Sequence, residues 1–166
     1  MEKLAKRLKL VSHSDSNRHF YRATEQTELE ELTANISSAN GTIIIAIDGS
    51  FVDFEFPDSD NLVARPQYSV VIASQTSSSD SSTILTVQQT CKQIAIQIIS
   101  KILQDAQAEE NGCRYINEKT FTIEGIGPIA DNFYGVILSF NMEEGINYQL
   151  DSNMWSETDE WDSIKS

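Results

Sequence analysis

The stretch that decides the fold runs from Thr86 to Ala108, TVQQTCKQIAIQIISKILQDAQA. Ile94, Ile96 and Ile98 alternate as they would in a strand, but the longer pattern is helical. Thr86-x-x-Gln89 makes a capping box, and Val87, Cys91, Ile94, Ala95, Ile98, Ile102 and Ala106 recur at helical spacing without a break. On a helical wheel, Ile96, Ile99 and Leu103 widen this apolar face to an arc of about 200°, against the roughly 100° used by a helix lying on one sheet. Such a helix needs a second body, either another helix of the chain or a neighbouring subunit. Ile96, Ile99 and Leu103 are therefore the candidate subunit contacts.

Upstream, Thr27-x-x-Glu30 makes another capping box, and Leu29, Leu32 and Ile36 follow at helical spacing up to Gly41, which predicts a helix over 25–39. Thr42 to Ile47 then reads as a strand, as does Phe51 to Phe56, where Val52, Phe54 and Phe56 point one way and Asp53 and Glu55 the other. Asp48-Gly49 between them signals a hairpin, because a type I′ turn needs positive φ at both central residues. Tyr68, Val70 and Ile72 alternate as a third strand, and the Ser/Thr-rich segment Ser74 to Thr83 is expected to be a loop. Downstream of the long helix, Tyr115 to Ile126 alternates weakly through Phe121 and Ile123. Gly127-Pro128 and Asp131-Asn132 bracket a turn, and Phe133 to Met142 returns with Tyr134, Val136, Leu138, Phe140 and Met142 on one face. The order α-β-β-β-α-β-β predicts an α+β fold: a largely antiparallel sheet of about five strands with two helices packed on one side.

The whole chain has 166 residues, a net charge of −13 and a pI near 4.4, which suits one domain and excludes a surface built to grip phosphate backbones or anionic lipid. Its longest apolar run, Ile43 to Ile47, is far short of the ~20 residues needed to span a bilayer, so no membrane partner is expected. Residues 1–11 lack the apolar core of a secretory leader, and two cysteines make no disulfide framework or zinc site, which fits synthesis in a reducing compartment. Charge is unevenly spread: residues 1–22 carry +4 and the remainder −17. This divides the chain into a basic N-terminal arm (1–24), a folded domain (25–142) and an acidic, aperiodic C-terminal arm (143–166).

No catalytic, cofactor or metal constellation emerges, so the chain is not expected to be an enzyme. His13 and His19 flank Asp15 in a polar segment without a third ligand, which reads as a solvated loop. Asp58, Asp60 and Asn61 lack the Gly and closing Glu of a calcium loop and read as a turn. Cys91 lies on the apolar face of the long helix and reads as core; Cys113 has Arg114 beside it, which could lower a thiol pKa, but no His nearby to act as a base. Gly125-Ile126-Gly127-Pro128 joins two strands, and Pro128 removes a donor that a phosphate loop would use. Met154, Trp155 and Trp161 stand out in the acidic arm, where large apolar groups lack an obvious core and read as partner anchors.

With this order of elements, the chain resembles the tail-terminator and head-to-tail connector (neck ring) proteins of tailed bacteriophages. The likeness covers about residues 25–142: a first helix, a meander holding Arg65-Pro66-Gln67-Tyr68-Ser69-Val70, the long apolar helix, and a closing hairpin ending Asp131-Asn132-Phe133-Tyr134-Gly135-Val136-Ile137-Leu138-Ser139-Phe140. The resemblance implies an α+β subunit of a ring, commonly a hexamer, in the neck or tail of a virion assembled in the bacterial cytoplasm. Its partners would be copies of itself and adjoining neck and tail proteins, with DNA only as transiting cargo and no cofactor. A conduit for DNA should repel it, so Asp53, Glu55, Asp58 and Asp60 are the expected channel-facing residues. The alternative is a non-enzymatic cytosolic adaptor that captures a protein partner through its terminal arms.

Overall fold

The computed structural model describes residues 1–11, 13–14, 16–23, 36, 41–47, 52–58, 61–76, 80–110, 113–130 and 132–146. The fold is α+β, built on a seven-stranded mixed sheet. Its centre is β2 (Thr42–Ile47), β4 (Asn61–Gln75) and β6 (Phe133–Asn141), flanked by β1 (Phe20–Ala23) and β5 (Thr122–Ile129) in the order β1-β2-β4-β6-β5. Only β1 and β2 run parallel; the other neighbours are antiparallel. β2 lacks alternation because both its faces are covered, which its run of isoleucines suits. Ile44 and Ala46 join one buried cluster with Val70, Ile72, Val136, Leu138 and Phe140, while Ile43, Ile45 and Ile47 join a second with Val71, Ala73 and Phe133.

Two helices, α1 (Glu2–Arg7) and α2 (Ser81–Gln107), contribute to the first cluster. α2 does so through Cys91, Ile94, Ala95, Ile98 and Ile102. It starts five residues before the expected capping box: the Asp80 carboxylate accepts from the Ser82 amide at 2.8 Å, and the Thr86 hydroxyl donates to the Ser82 carbonyl from inside the helix. Part of the expected Ser/Thr-rich loop is thus the first turn of α2, and Ser74–Gln75 end β4. The predicted helix over 25–39 lies outside the described residues except for Ile36, which is helical and fully buried. Ile36 belongs to the second cluster, on the side of the sheet away from α2.

The N-terminal segment is not a detached arm. Leu4, Ala5 and Leu8 recur one helical turn apart, Ala5 and Val11 are buried in the first cluster, and Phe20 to Ala23 is a sheet strand. The Asp48-Gly49 turn itself lies outside the described residues, but the strands around it do not pair with each other. β2 pairs with β4 from Ile47↔Ser69, and β3 (Val52–Asp58) pairs with the same edge of β4 from Val52↔Pro66. The reversal comes later, where Asp58 stands opposite Asn61. β3 and β4 therefore make one long hairpin, and the acidic segment after residue 142 adds β7 (Glu144–Ile146) to the other side of β4. At about 3.3 Å per residue, β4 is roughly 50 Å long. Half of it is sheet centre and half is the spine of a β3-β4-β7 arm.

Two single turns of 3-10 helix, Cys113–Tyr115 and Glu118–Thr120, replace the start of the strand expected from Tyr115. Gly127-Pro128 falls within β5, where the register with β6 shifts between Ile126 and Ile129; the chain reverses after it, with Ala130 at φ 50°. β6 follows its sequence pattern, with Val136, Leu138, Phe140 and Met142 all in the first cluster.

Candidate functional site

Two surfaces stand out, and each is built in part by a segment that the sequence reading assigned to a terminal arm. The first is the β3-β4-β7 arm. Among the described residues β3 and β7 pair with β4 alone, and strand alternation gives the arm two unlike faces. One face carries Val52, Phe54 and Phe56 beside Leu62 and Ile146; Phe54 is 57% exposed and Phe56 61%. The other face is charged. Asp53 pairs in register with Arg65, whose guanidinium contacts the Glu55 carboxylate and lies 3.2 Å from Glu143. One cation among three carboxylates leaves this face net negative.

The second surface is an open cleft of about 1000 Å³ between α1, α2 and the sheet. Phe20, Ala46, Tyr68 and Phe140 form its floor, with Tyr68 and Phe140 stacked at a centroid separation of 5.9 Å and Phe121 tilted against Phe140 at 5.4 Å. Lys3 and Arg7 rim it from α1, Arg22 from β1, and Gln97 and Lys101 from α2. Asp105, only 7% exposed at the wall, is held by an ion pair with Lys101 one turn earlier. Cys113 also lines the wall; burial, then the Asp105 charge, pushes its thiol pKa up, the reverse of the lowering that Arg114 suggested. Glu2 and Glu110 are the other acids of the rim.

The expected site residues fall out unevenly. Asp53 and Glu55 are exposed on the arm, whereas the Asp58 side chain, Asp60, Met154, Trp155 and Trp161 lie outside the described residues. Along α2, Ile99 and Leu103 are half-buried, with Ile99 packed on the first cluster, and Ile96 is 37% exposed. Cys91 is fully buried, as expected, and desolvation pushes its thiol up to about 11.

The histidine pair is not a solvated loop. His19 is 3% exposed, its Nδ1 lies 2.9 Å from the Thr42 carbonyl and its Nε2 3.1 Å from the Asn17 side-chain oxygen, while its backbone amide donates to His13 Nδ1 at 3.1 Å. Both ring nitrogens thus face oxygens, and a carbonyl can only accept, so the ring is the donor wherever its nitrogen carries the proton. This ring ties the entry to β1 onto the start of β2. Among the described residues no three His, Cys, Asp or Glu side chains are grouped to hold a metal, and no helix is long and apolar enough to cross a membrane.

The cleft was missed because residues 1–24 read as a basic arm. The signal was present in Leu4, Ala5 and Leu8 and in the Glu2–Lys6 pair, whose ion pair spans 3.3 Å along one helix face. No model of a known protein family matches the chain, and no curated protein matches it in sequence.

Proposed function

We propose that this chain is a non-enzymatic structural subunit that assembles into a ring in the neck or tail of a tailed bacteriophage, as a tail terminator or connector around the DNA exit channel. The phage setting rests on the resemblance of layout described above. The observation that carries the assembly is the arm: two phenylalanines of β3 are more than half exposed, on a strand that among the described residues pairs with β4 alone. Contiguous exposed apolar surface of this kind marks an interaction site more often than a free surface. The opposite arm face, with Asp53, Glu55 and Glu143 around Arg65, is suited to a lumen, because net negative charge keeps passing DNA from adhering. Adjoining neck or tail proteins are the partners assigned to Trp155, Trp161 and Met154.

Native mass spectrometry and negative-stain microscopy of the purified chain across a concentration range test this reading. A closed ring is the expected species. A monomer at every concentration, also with adjoining virion proteins added, rejects it and favours an adaptor that works through its terminal segments.

A further inference from the structure

We infer that the Thr42–Ser74 hydroxyl pair is the register key of β2 on β4, and that it thereby fixes where the β3-β4-β7 arm leaves the sheet. The inference concerns the sheet alone and stands whether or not copies of the chain assemble. It starts from an ambiguity in the sequence. β2 reads Thr42-Ile43-Ile44-Ile45-Ala46-Ile47 and lies against Val70-Val71-Ile72-Ala73 of β4, and every apolar residue of both runs is buried. A sheet with one wet face rejects a one-residue slip, because the slip turns its apolar side chains to water. Here both faces are covered, so a slip by one residue keeps them buried, and a slip by two keeps each on its own face. Burial alone does not choose among these pairings.

What separates them is polar. Ser69 and Ser74 bound the apolar run of β4, and Thr42 opens β2. Thr42 stands opposite Ser74, their hydroxyl oxygens are 2.6 Å apart, and both residues are half-buried. The buried Cys91 side chain of α2 also meets Ser74 in a hydrogen bond, so the helix docks on the same point. Moving β2 two residues towards the arm would set Thr42 opposite Ile72 and Ile47 opposite Gln67; moving it the other way would set Ser74 opposite Ile44. In both cases the pair is broken where water is scarce, and a polar group left without its partner there costs more than a made bond returns. The first slip carries the end of β2 about 7 Å along β4, next to Pro66, where Val52 begins the arm. β6, on the other side of β4, is keyed twice: Ser69 and Ser139 pair at 2.9 Å, and Gly135 passes the Ile72 carbonyl where a Cβ would collide.

The test compares full-length variants labelled at Ile and Val methyl groups, whose NMR signals stay readable in an oligomer. Register is read from Val71, whose native partner in β2 is Ile45; after a two-residue slip its methyl contacts pass to Ile43 or Ile47. Thr42→Val with Ser74→Ala removes the pair without leaving one hydroxyl facing an apolar partner. It should show a second set of β2 signals with slipped contacts, in about a tenth of the molecules or more. Thr42→Ser, which keeps the hydroxyl, should show the native register alone. So should Ser69→Ala with Ser139→Ala, because Gly135 still holds β6 and the Thr42–Ser74 pair still holds β2. A single native register in the Thr42→Val, Ser74→Ala variant overturns the inference, since packing would then suffice. Loss of the folded spectrum in that variant overturns it as well, because the pair would then supply stability and not register. Slippage of β2 in either control does the same, because the effect would not belong to the pair.

Discussion

His19 shows how much one side chain can hold in this molecule. Its ring bridges the half-buried Thr42 carbonyl and Asn17, so replacing it with Ala removes both ring contacts at the β1–β2 start, while the backbone amide keeps its bond to His13. His19→Ala should cost about 2–3 kcal/mol, read as a lower midpoint in urea, whereas a loss within ~0.5 kcal/mol would mean the site is a loop after all. The sequence reading took both histidines for loop residues because the deciding partner, Thr42, lies 23 positions away, beyond any local pattern. Gly135 is a second hidden constraint: a Cβ there would fall on the Ile72 carbonyl of β4, so Gly135→Ala should destabilise by about 1–3 kcal/mol although the residue sits in a regular strand. The two thiols should separate cleanly. Cys113 should react with maleimide in the native protein and Cys91 only on unfolding. Because burial raises the Cys91 pKa from 9.0 to about 11, its thiolate is disfavoured in the fold, and stability should fall as pH rises from about 9 towards 11.

At the scale of elements, α2 and β6 were legible because each carries its own period over many residues, and the α+β class followed from them. Legibility failed where the partner of an element decides its role. Asp48-Gly49 is a strong local turn signal, yet β2 and β3 both find their partner in β4, whose 15 residues are long enough to serve them in succession. The spacing of Leu4, Ala5 and Leu8 is a helical signal, but the six residues of α1 are too few to stand as a helix without docking on the sheet, so the basic charge of the segment outweighed it. The apolar arc of α2 was read as wider than one sheet needs, and the structure divides it: Ile98 is fully buried and Ile96 is partly exposed. Ile98→Ala should therefore cost about 2–5 kcal/mol in the isolated chain, and Ile96→Ala under ~1 kcal/mol, measured by chemical denaturation at low protein concentration. At the helix start, hydrogen bonds from Ser82 hold the Asp80 carboxyl below the usual carboxylate range. Its capping contribution is present above that range and lost as pH falls through the lowered value. Hydrogen exchange in the first turn of α2 should accelerate there, and Asp80→Ala should show the fast rate at all pH values.

For the whole molecule, the sheet centre is an ordinary packed core, and what sets this chain apart is placed around it: an acidic arm with an apolar face, and a basic-mouthed cleft. The uneven charge seen in the sequence, +4 over residues 1–22 and −17 over the rest, puts Lys3, Arg7 and Arg22 on the rim of the cleft and leaves Asp53, Glu55, Glu143 and Glu144 on the arm. Such an asymmetry makes association sensitive to ionic strength, because exposed charges are screened over about 10 Å at 0.1 M salt, while the apolar contact persists. Added salt should therefore weaken the assembly without abolishing it. Trp155→Ala with Trp161→Ala should leave the assembly of the chain with itself intact and weaken attachment to adjoining virion proteins, with a hot-spot loss of about 2 kcal/mol or more. The most direct measurement of the central claim is the native mass spectrum of the natural chain across a concentration range. The account predicts a single closed oligomer; a monomer at every concentration, also with adjoining virion proteins added, would contradict it.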